Sequence, residues 1–204
     1  MKINKKKFIY LISPNKISKS FYKNLNLVQK TRKVSFFQLR LKNYSKRKKI
    51  IIGEKIKKIC KKNRVKLIIN DDPLLALKLD ADGCHLGQKD MDIRKARKIL
   101  GEKIIGITCH NSLNLAKKAI KANASYIAFG AFYPSKTKKT KYAASIQILK
   151  RVQKFTKTPI VAIGGINSVN YKNLLLNKAN FLAISSYIWK NKKYKPLEAI
   201  ARLK

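Results

Sequence analysis

The sequence predicts an α/β protein built as one (β/α)8 barrel, a TIM barrel, with a single domain spanning residues 1–204. Three observations carry that prediction. Short β-branched or aromatic runs alternate with longer segments of helical period, the pattern of parallel α/β folds. Eight such runs can be marked along the chain. The 204 residues are 45% apolar, enough for one full core, and they fall short of the roughly 250 residues typical of this architecture, so the loops must be short.

The strands are expected at 8–12, 35–40, 67–70, 83–86, 104–108, 126–130, 160–163 and 181–184. Between them apolar residues recur at helical spacing: Phe21, Leu25 and Val28, then Ile52, Ile56 and Ile59. Ala96, Ile99 and Leu100 follow strand four, and Ala116, Ala119 and Ile120 follow strand five. Ile148, Leu149 and Val152 precede strand seven, Tyr171, Leu174 and Leu175 precede strand eight, and 196–203 supplies the eighth helix. Asp72 before Pro73 reads as an N-cap with proline at the first helical position, and Asp92 and Gly101 bracket another helix. Trp189, after strand eight, is expected to anchor a helix on the barrel.

The net charge is +40, from 49 basic and 9 acidic residues. Such a balance raises a nucleic-acid or membrane-surface partner as a question. Only eight of the cations are arginine, and the lysines run through every segment rather than clustering on one face or tail, so a solvated lysine surface is the preferred reading and no specific nucleic acid is expected. The basic start MKINKKK precedes an apolar run of five residues, too short for a signal-peptide core, and no stretch approaches a membrane span. Cys60, Cys84 and Cys109 are three, widely spaced and without a CxxC pair, which points to reduced core thiols and a cytoplasmic location.

In a barrel of this kind the chemistry collects at the C-terminal ends of the strands. Here those ends carry Gln38, Arg40 and Lys42; Asn70 and Asp71; His85, Gly87, Gln88 and Asp90; Thr108 and His110; the loop PSKTKK at 134–139; Gly164 and Gly165; and Ser185 and Ser186. Arg40 and Lys42 alternate with Leu39 and Leu41, which places both cations on one side of the chain, suited to gripping phosphate. Six of the nine acids lie between 71 and 92. Asp72 and Asp92 are explained as caps, and Asp80 and Asp82 as turn residues before strand four. Asp71 and Asp90 remain, and two carboxylates at adjacent strand ends are what Mg2+ needs when substrate phosphates complete its shell. The competing reading, two acids of surface loops, stays open on composition alone. Gly164-Gly165 permits close backbone approach where these barrels commonly bind phosphate. His85, inside a strand, reads as structural, and His110 is less easily assigned to packing.

Taken in order, FFQLRLK, IINDDPLLALKLDADGCHLGQKD, IIGITCHN, YIAFGAFYPSKTKK, PIVAIGGI and FLAISSYIW resemble the strand-end motifs of the thiamine-phosphate synthase family, from strand two to strand eight. AIGGI and HLGQ are shared with sister barrels, whereas the ordered set is specific. The resemblance implies a transferase that joins hydroxymethylpyrimidine diphosphate to a thiazole phosphate, plain or carboxylated, releasing pyrophosphate. It implies that Gln38, Leu39, Arg40, Leu41 and Lys42 hold the pyrimidine diphosphate with Asn70, and that Asp71 and Asp90 bind Mg2+. Thr108 and Lys138 would contact the diphosphate, while Ser135, Lys136, Thr137, Gly165, Ser185 and Ser186 would receive the thiazole phosphate. Arg40, Lys42 and Lys138 would be the catalytic cations. The chain departs from the family pattern in having Leu41 for Glu, Thr108 for Ser, Ser135 for Thr, and KTRKVSFF where strand two is usually approached through glycines.

Two rivals remain. A thiazole tautomerase branch resembles the synthase but isomerises with a histidine at the position of His110 and tends to lose the carboxylate after HLG, which Asp90 retains here. A basic barrel that binds nucleic acid is the rival of a different class. The expected partners are two small-molecule substrates, with no membrane, and self-association into a homo-oligomer is left open by the sequence.

Overall fold

A computed structural model describes residues 7–134 and 142–204. Eight parallel strands close on themselves in chain order: β1 (Ile9–Ile12), β2 (Val34–Leu39), β3 (Lys66–Asn70), β4 (Gly83–Leu86), β5 (Ile104–His110), β6 (Tyr126–Gly130), β7 (Ile160–Ile163) and β8 (Phe181–Ile184). β8 pairs back onto β1 through Ile9 and Leu182, which seals the (β/α)8 barrel and leaves no open edge. Helices α1 (Phe21–Lys30), α2 (Lys46–Lys62), α3 (Pro73–Lys78), α4 (Ile93–Leu100), α5 (Leu113–Lys121), α6 (Gln147–Gln153), α7 (Tyr171–Leu176), α8 (Ser186–Trp189) and α9 (Pro196–Ala201) cover it.

The period of two along each strand divides the apolar residues into two cores. Tyr10, Ile12, Phe36, Ile68, Tyr126, Ala128, Val161, Phe181 and Ala183 fill the lumen. Their neighbours in sequence, such as Leu11, Phe37, Leu67 and Ile127, face outward under the helices, where they meet Phe21, Leu25 and Val28 of α1 and Ile56 of α2. A barrel filled in this way is a packed core, and a ligand is left only the mouth.

The start signals act as expected. Asp72 accepts a hydrogen bond from the Leu75 N–H at 2.9 Å, with Pro73 opening α3, and Asp92 accepts from the Arg94 N–H at 2.8 Å at the head of α4. Gly101 ends α4 at φ 55°, a conformation other residues adopt at a cost. Asp82 sits in the turn before β4 and accepts from the Leu67 N–H at 2.8 Å, so it joins the base of β3 to the start of β4.

Beyond one-residue shifts at the starts of β1, β2 and β3, the elements depart from the sequence reading in three places. β2 ends at Leu39, which leaves Arg40 in the loop, and β5 continues to His110 through a register shift between Thr108 and His110. The chain after β8 forms two helices instead of one, since α8 precedes α9. Trp189 explains the extra turn: its Nε1 donates to the Ile12 carbonyl at 2.7 Å and its ring lies 5.0 Å from that of Phe21, pinning α8 to the end of β1. No helix among the described residues is long and apolar enough to cross a membrane.

Candidate active site

The last lumen-facing side chains of β2 to β5 form a polar floor at the C-terminal mouth. Gln38 is buried at 4% exposure, while Asn70, His85 and Thr108 are partly exposed to the opening above. Polar residues at these four consecutive strand ends follow directly from the period-two register, which turns Leu39, Ile69, Leu86 and Ile107 to the helix side.

Below the floor lie Tyr10 and Tyr126, whose hydroxyls are 2.7 Å apart. Gln38 Nε2 donates to the Tyr10 hydroxyl at 3.0 Å, His85 Nδ1 stands 2.9 Å from the Tyr126 hydroxyl, and His85 Nε2 stands 2.8 Å from Thr108 Oγ1. Buried phenols need such partners. Burial lowers the His85 pKa to about 4, which makes the ring neutral at physiological pH, and burial raises both phenols far above their ordinary value of 10. His85 is tied to Tyr126 in the barrel interior and also touches Thr108 at the mouth. The two tyrosines are the members of this site that sequence reasoning missed; their signal is a phenol at a lumen-facing position of an otherwise apolar strand.

Above the floor the charges meet. Lys42 Nζ lies 3.6 Å from Asp71 Oδ2. The Asp71 carboxyl has its pKa raised, first by burial and then by a hydrogen bond to Asp90 and the charge of Asp90, while Lys42 and Arg40 act in the opposite direction. The two carboxyls expected to share a metal therefore face each other beneath two cations. Asp71 reaches this position through a left-handed backbone, φ 64°, with its N–H donating to the His85 carbonyl at 2.8 Å. Asp90 is fixed by accepting from the Gly87 N–H at 2.7 Å. Arg40 is held by its own neighbours: its N–H donates to Ser13 Oγ at 2.9 Å and its Nη1 to Asn15 Oδ1 at 3.2 Å.

A cleft of about 360 Å3 opens between the exits of β2 and β3. Lys42, Asn70, Asp71 and Asp72 form its polar wall, and Leu39, Leu41, Ile69 and Leu75 its apolar wall. Leu39 and Leu41 belong to the outer core and offer a substrate only backbone groups or apolar surface, because period two gives the lumen side to Gln38. A second cleft, about 310 Å3, lies beyond β5 and is lined by Gln88, His110, Asn111, Ser112, Leu115 and Tyr142. The His110 ring stacks on Tyr142 at 4.1 Å between centroids.

The glycine pair after β7 lies against the loop that follows β6. A Cβ on Gly164 would collide with Ala131, and one on Gly165 with Pro134 and Tyr133, so the space is filled by the protein's own loop after β6. Hydrogen bonds from the Phe132 N–H to the Ile163 carbonyl and from the Tyr133 N–H to the Gly164 carbonyl fasten that loop down. Gly165 follows β7, while Ser185, whose Oγ donates to the Ser13 carbonyl at 3.3 Å, and Ser186, the first residue of α8, follow β8. Ser135, Lys136, Thr137 and Lys138 lie outside the described residues.

The cysteines lie in the packed core. All three are unpaired and buried, and burial pushes the Cys60 and Cys109 thiols up to about 12, so neither supplies a thiolate near neutrality.

Comparison with known proteins identifies the family. Residues 9–188 match the family model described as thiamine monophosphate synthase. A thiamine-phosphate synthase of Pelagibacter ubique is 69% identical over the whole of both chains, and one from Nitrosomonas eutropha is 43% identical over 76% of this chain and 74% of its own. Among solved structures, a thiamine phosphate pyrophosphorylase from Pyrococcus furiosus superposes with a TM-score of 0.86 at 27% identity, covering 97% of this chain and 94% of that one. Orotidine 5'-phosphate decarboxylase from Pyrococcus horikoshii, at 12% identity and a TM-score of 0.67, shares the fold alone. With the family model spanning most of the chain and a full-length relative at this identity, the chain belongs to the thiamine-phosphate synthase family.

Proposed function

We propose that the mouth joins the methylene carbon of an aminopyrimidine diphosphate to the nitrogen of a thiazole phosphate, giving thiamine phosphate and pyrophosphate. The observation that carries this reading is the carboxyl pair Asp71 and Asp90 beneath Arg40 and Lys42, at the mouth of a barrel of this family. In the reaction the carbon–oxygen bond to the diphosphate breaks, its electron pair leaves with pyrophosphate, and the thiazole nitrogen forms the new carbon–nitrogen bond.

The chain's own groups suit the charges that develop. Arg40 and Lys42 bring positive charge to the departing diphosphate, and Thr108, across the mouth on β5, has a hydroxyl for one of its oxygens. Gln38 and Asn70 border the place of the pyrimidine, and Gly165, Ser185 and Ser186 that of the thiazole phosphate. Leu39 and Leu41 line the cleft beside them. Within this reading Ser135, Lys136 and Thr137 complete the thiazole phosphate side and Lys138 adds a third cation for the diphosphate.

Asp71 and Asp90 fit a divalent cation. Two facing carboxyls sharing a hydrogen bond gain when a metal replaces the proton between them, and no third His, Cys, Asp or Glu joins them among the described residues, which leaves the remaining positions to substrate oxygens and water. Mg2+ held there would neutralise charge on the leaving pyrophosphate. The cytoplasm is the proposed location, supported by three unpaired thiols.

Purified protein incubated with both substrates should form thiamine phosphate and pyrophosphate in equal amounts in the presence of Mg2+, and none in excess chelator. Product forming equally well with chelator would remove the metal from the reading, and no product under either condition would remove the reaction.

A further inference from the structure

We infer that the barrel interior holds a one-way chain of hydrogen bonds, Gln38 to Tyr10 to Tyr126 to His85 to Thr108, that makes Thr108 a donor and Gln38 an acceptor toward the substrate. Tyr10, Tyr126 and His85 are then positioning residues. The inference rests on the reading that the pyrimidine diphosphate occupies the mouth.

The direction follows from counting protons. An amide nitrogen only donates, so Gln38 Nε2, 3.0 Å from Tyr10, makes the Tyr10 oxygen an acceptor. Tyr10 is 1% exposed and has one proton to give, and its other partner is the Tyr126 hydroxyl at 2.7 Å. If Tyr126 donated back, the Tyr10 proton would be buried without an acceptor, which is costly. Tyr10 therefore donates to Tyr126, and Tyr126, also 1% exposed, donates to His85 Nδ1 at 2.9 Å. A neutral imidazole accepts at one nitrogen and donates at the other, so the ring proton is on Nε2 and is given to Thr108 Oγ1 at 2.8 Å.

Both ends of the chain open on the floor of the mouth. Thr108 already accepts, and its own hydroxyl proton is left to point outward, matched to an anionic diphosphate oxygen. Gln38 has spent its amide nitrogen on Tyr10, and its Oε1 is left as an acceptor, matched to the exocyclic amine of an aminopyrimidine. The barrel makes room for this chain on purpose-built geometry: a Cβ at Gly106 of β5 would overlap the Tyr126 ring, and Tyr126 lies edge-on to Tyr10 at 5.6 Å and stacked on His85 at 5.6 Å between centroids. Three strands distant in sequence, β1, β4 and β6, thereby set the polarity of two contacts on β2 and β5.

The test has one arm without substrate and one with it. Nitrogen NMR of the 15N-histidine-labelled full chain, assigned with His110→Gln since only two histidines are present, should show His85 as the Nε2–H tautomer. Proton on Nδ1, or on both nitrogens, would overturn the direction whether or not the protein proves to be a synthase. In the second arm, Tyr126→Phe removes one hydroxyl and should raise KM for the pyrimidine diphosphate about tenfold, the size expected for weakening a hydrogen bond to a charged group. KM for the thiazole phosphate should stay within about twofold, and the His85 tautomer signal should become mixed. A purely structural role would lower the melting temperature and move both KM values together. Tyr10→Phe breaks the chain one link earlier and serves if Tyr126→Phe fails to fold. Unchanged KM for the pyrimidine diphosphate in a folded variant would sink the inference, whereas a wild-type protein that couples nothing would instead sink the function it rests on.

Discussion

Asp90 and His110 stand at the ends of neighbouring strands and support opposite chemistries. Asp90 is exposed at the mouth and faces Asp71, whereas His110 lies in the cleft beyond β5, stacked on Tyr142 with a backbone φ of 53°. If coupling with release of pyrophosphate is the reaction and the carboxyl pair holds Mg2+, Asp90→Asn removes one unit of charge from that pair and should lower turnover by about 100-fold or more. His110→Gln should change it by less than about threefold. An isomerase would reverse the order, because proton transfer needs a group that titrates near neutrality and no pyrophosphate has to be stabilised. Measuring coupling and thiazole isomerisation in both variants, with circular dichroism for folding, separates the two; a crippled His110→Gln beside an intact Asp90→Asn would mean isomerisation. That Arg40 and Lys42 share one side of the chain was readable because unlike residues alternate after the strand exit. Leu41 was readable only as far as its period-two partner: the same alternation that exposes Lys42 drives the Leu41 side chain into the outer core, at 5% exposure.

At the level of elements, the acid-rich stretch from β3 to β4 ties the bottom of the barrel as well as equipping its mouth. Asp80, in the turn after α3, accepts from Lys57 Nζ of α2 at 3.2 Å and from Lys103 Nζ before β5 at 2.8 Å. Those two hydrogen bonds and their charges lower its pKa from 3.8 to about 2. A carboxylate with a lowered folded-state pKa stabilises the fold above its unfolded value and loses that contribution as the pH falls through the folded one. Asp80→Asn should therefore lower the melting temperature slightly, on the order of a degree or two, at pH 7, because the bridge is fully solvated. The gap between variant and wild type should hold down to about pH 4 and close near pH 2, and it should shrink in high salt. A gap independent of pH, followed by thermal melts from pH 7 to pH 2, would show that the charge of Asp80 is not what matters. The caps at Asp72 and Asp92 were legible one residue at a time because capping is local, whereas the link from α2 through Asp80 to Lys103 joins residues 23 apart on either side and had no local signal.

Over the whole molecule the +40 charge is the feature most open to a second function. Its lysines run through every segment of the sequence, so attraction to a polyanion should be general and strongly screened. Fluorescence anisotropy with a labelled duplex should show binding at about 20 mM salt, without sequence preference, that is lost near 150 mM. Tight binding of one defined sequence at the higher salt would establish a nucleic-acid function beside catalysis. The sequence by itself determined the barrel, since two periodicities, 2 for strands and 3.6 for helices, are local properties of neighbouring side chains. It also determined which strand ends carry cations, carboxylates and hydroxyls, because the C-terminal end of a strand is defined by chain direction alone. Only the closed barrel decided which of these residues meet. Tyr10 and Tyr126 are 116 positions apart, and their 2.7 Å contact depends on the height of each strand in the closed sheet. The glycine pair after β7 seats the loop after β6 for the same reason, and Trp189 of α8 meets the end of β1. Strand height around a closed sheet is set by every pairing from β1 round to β8 at once, and no stretch of sequence shorter than the barrel contains it.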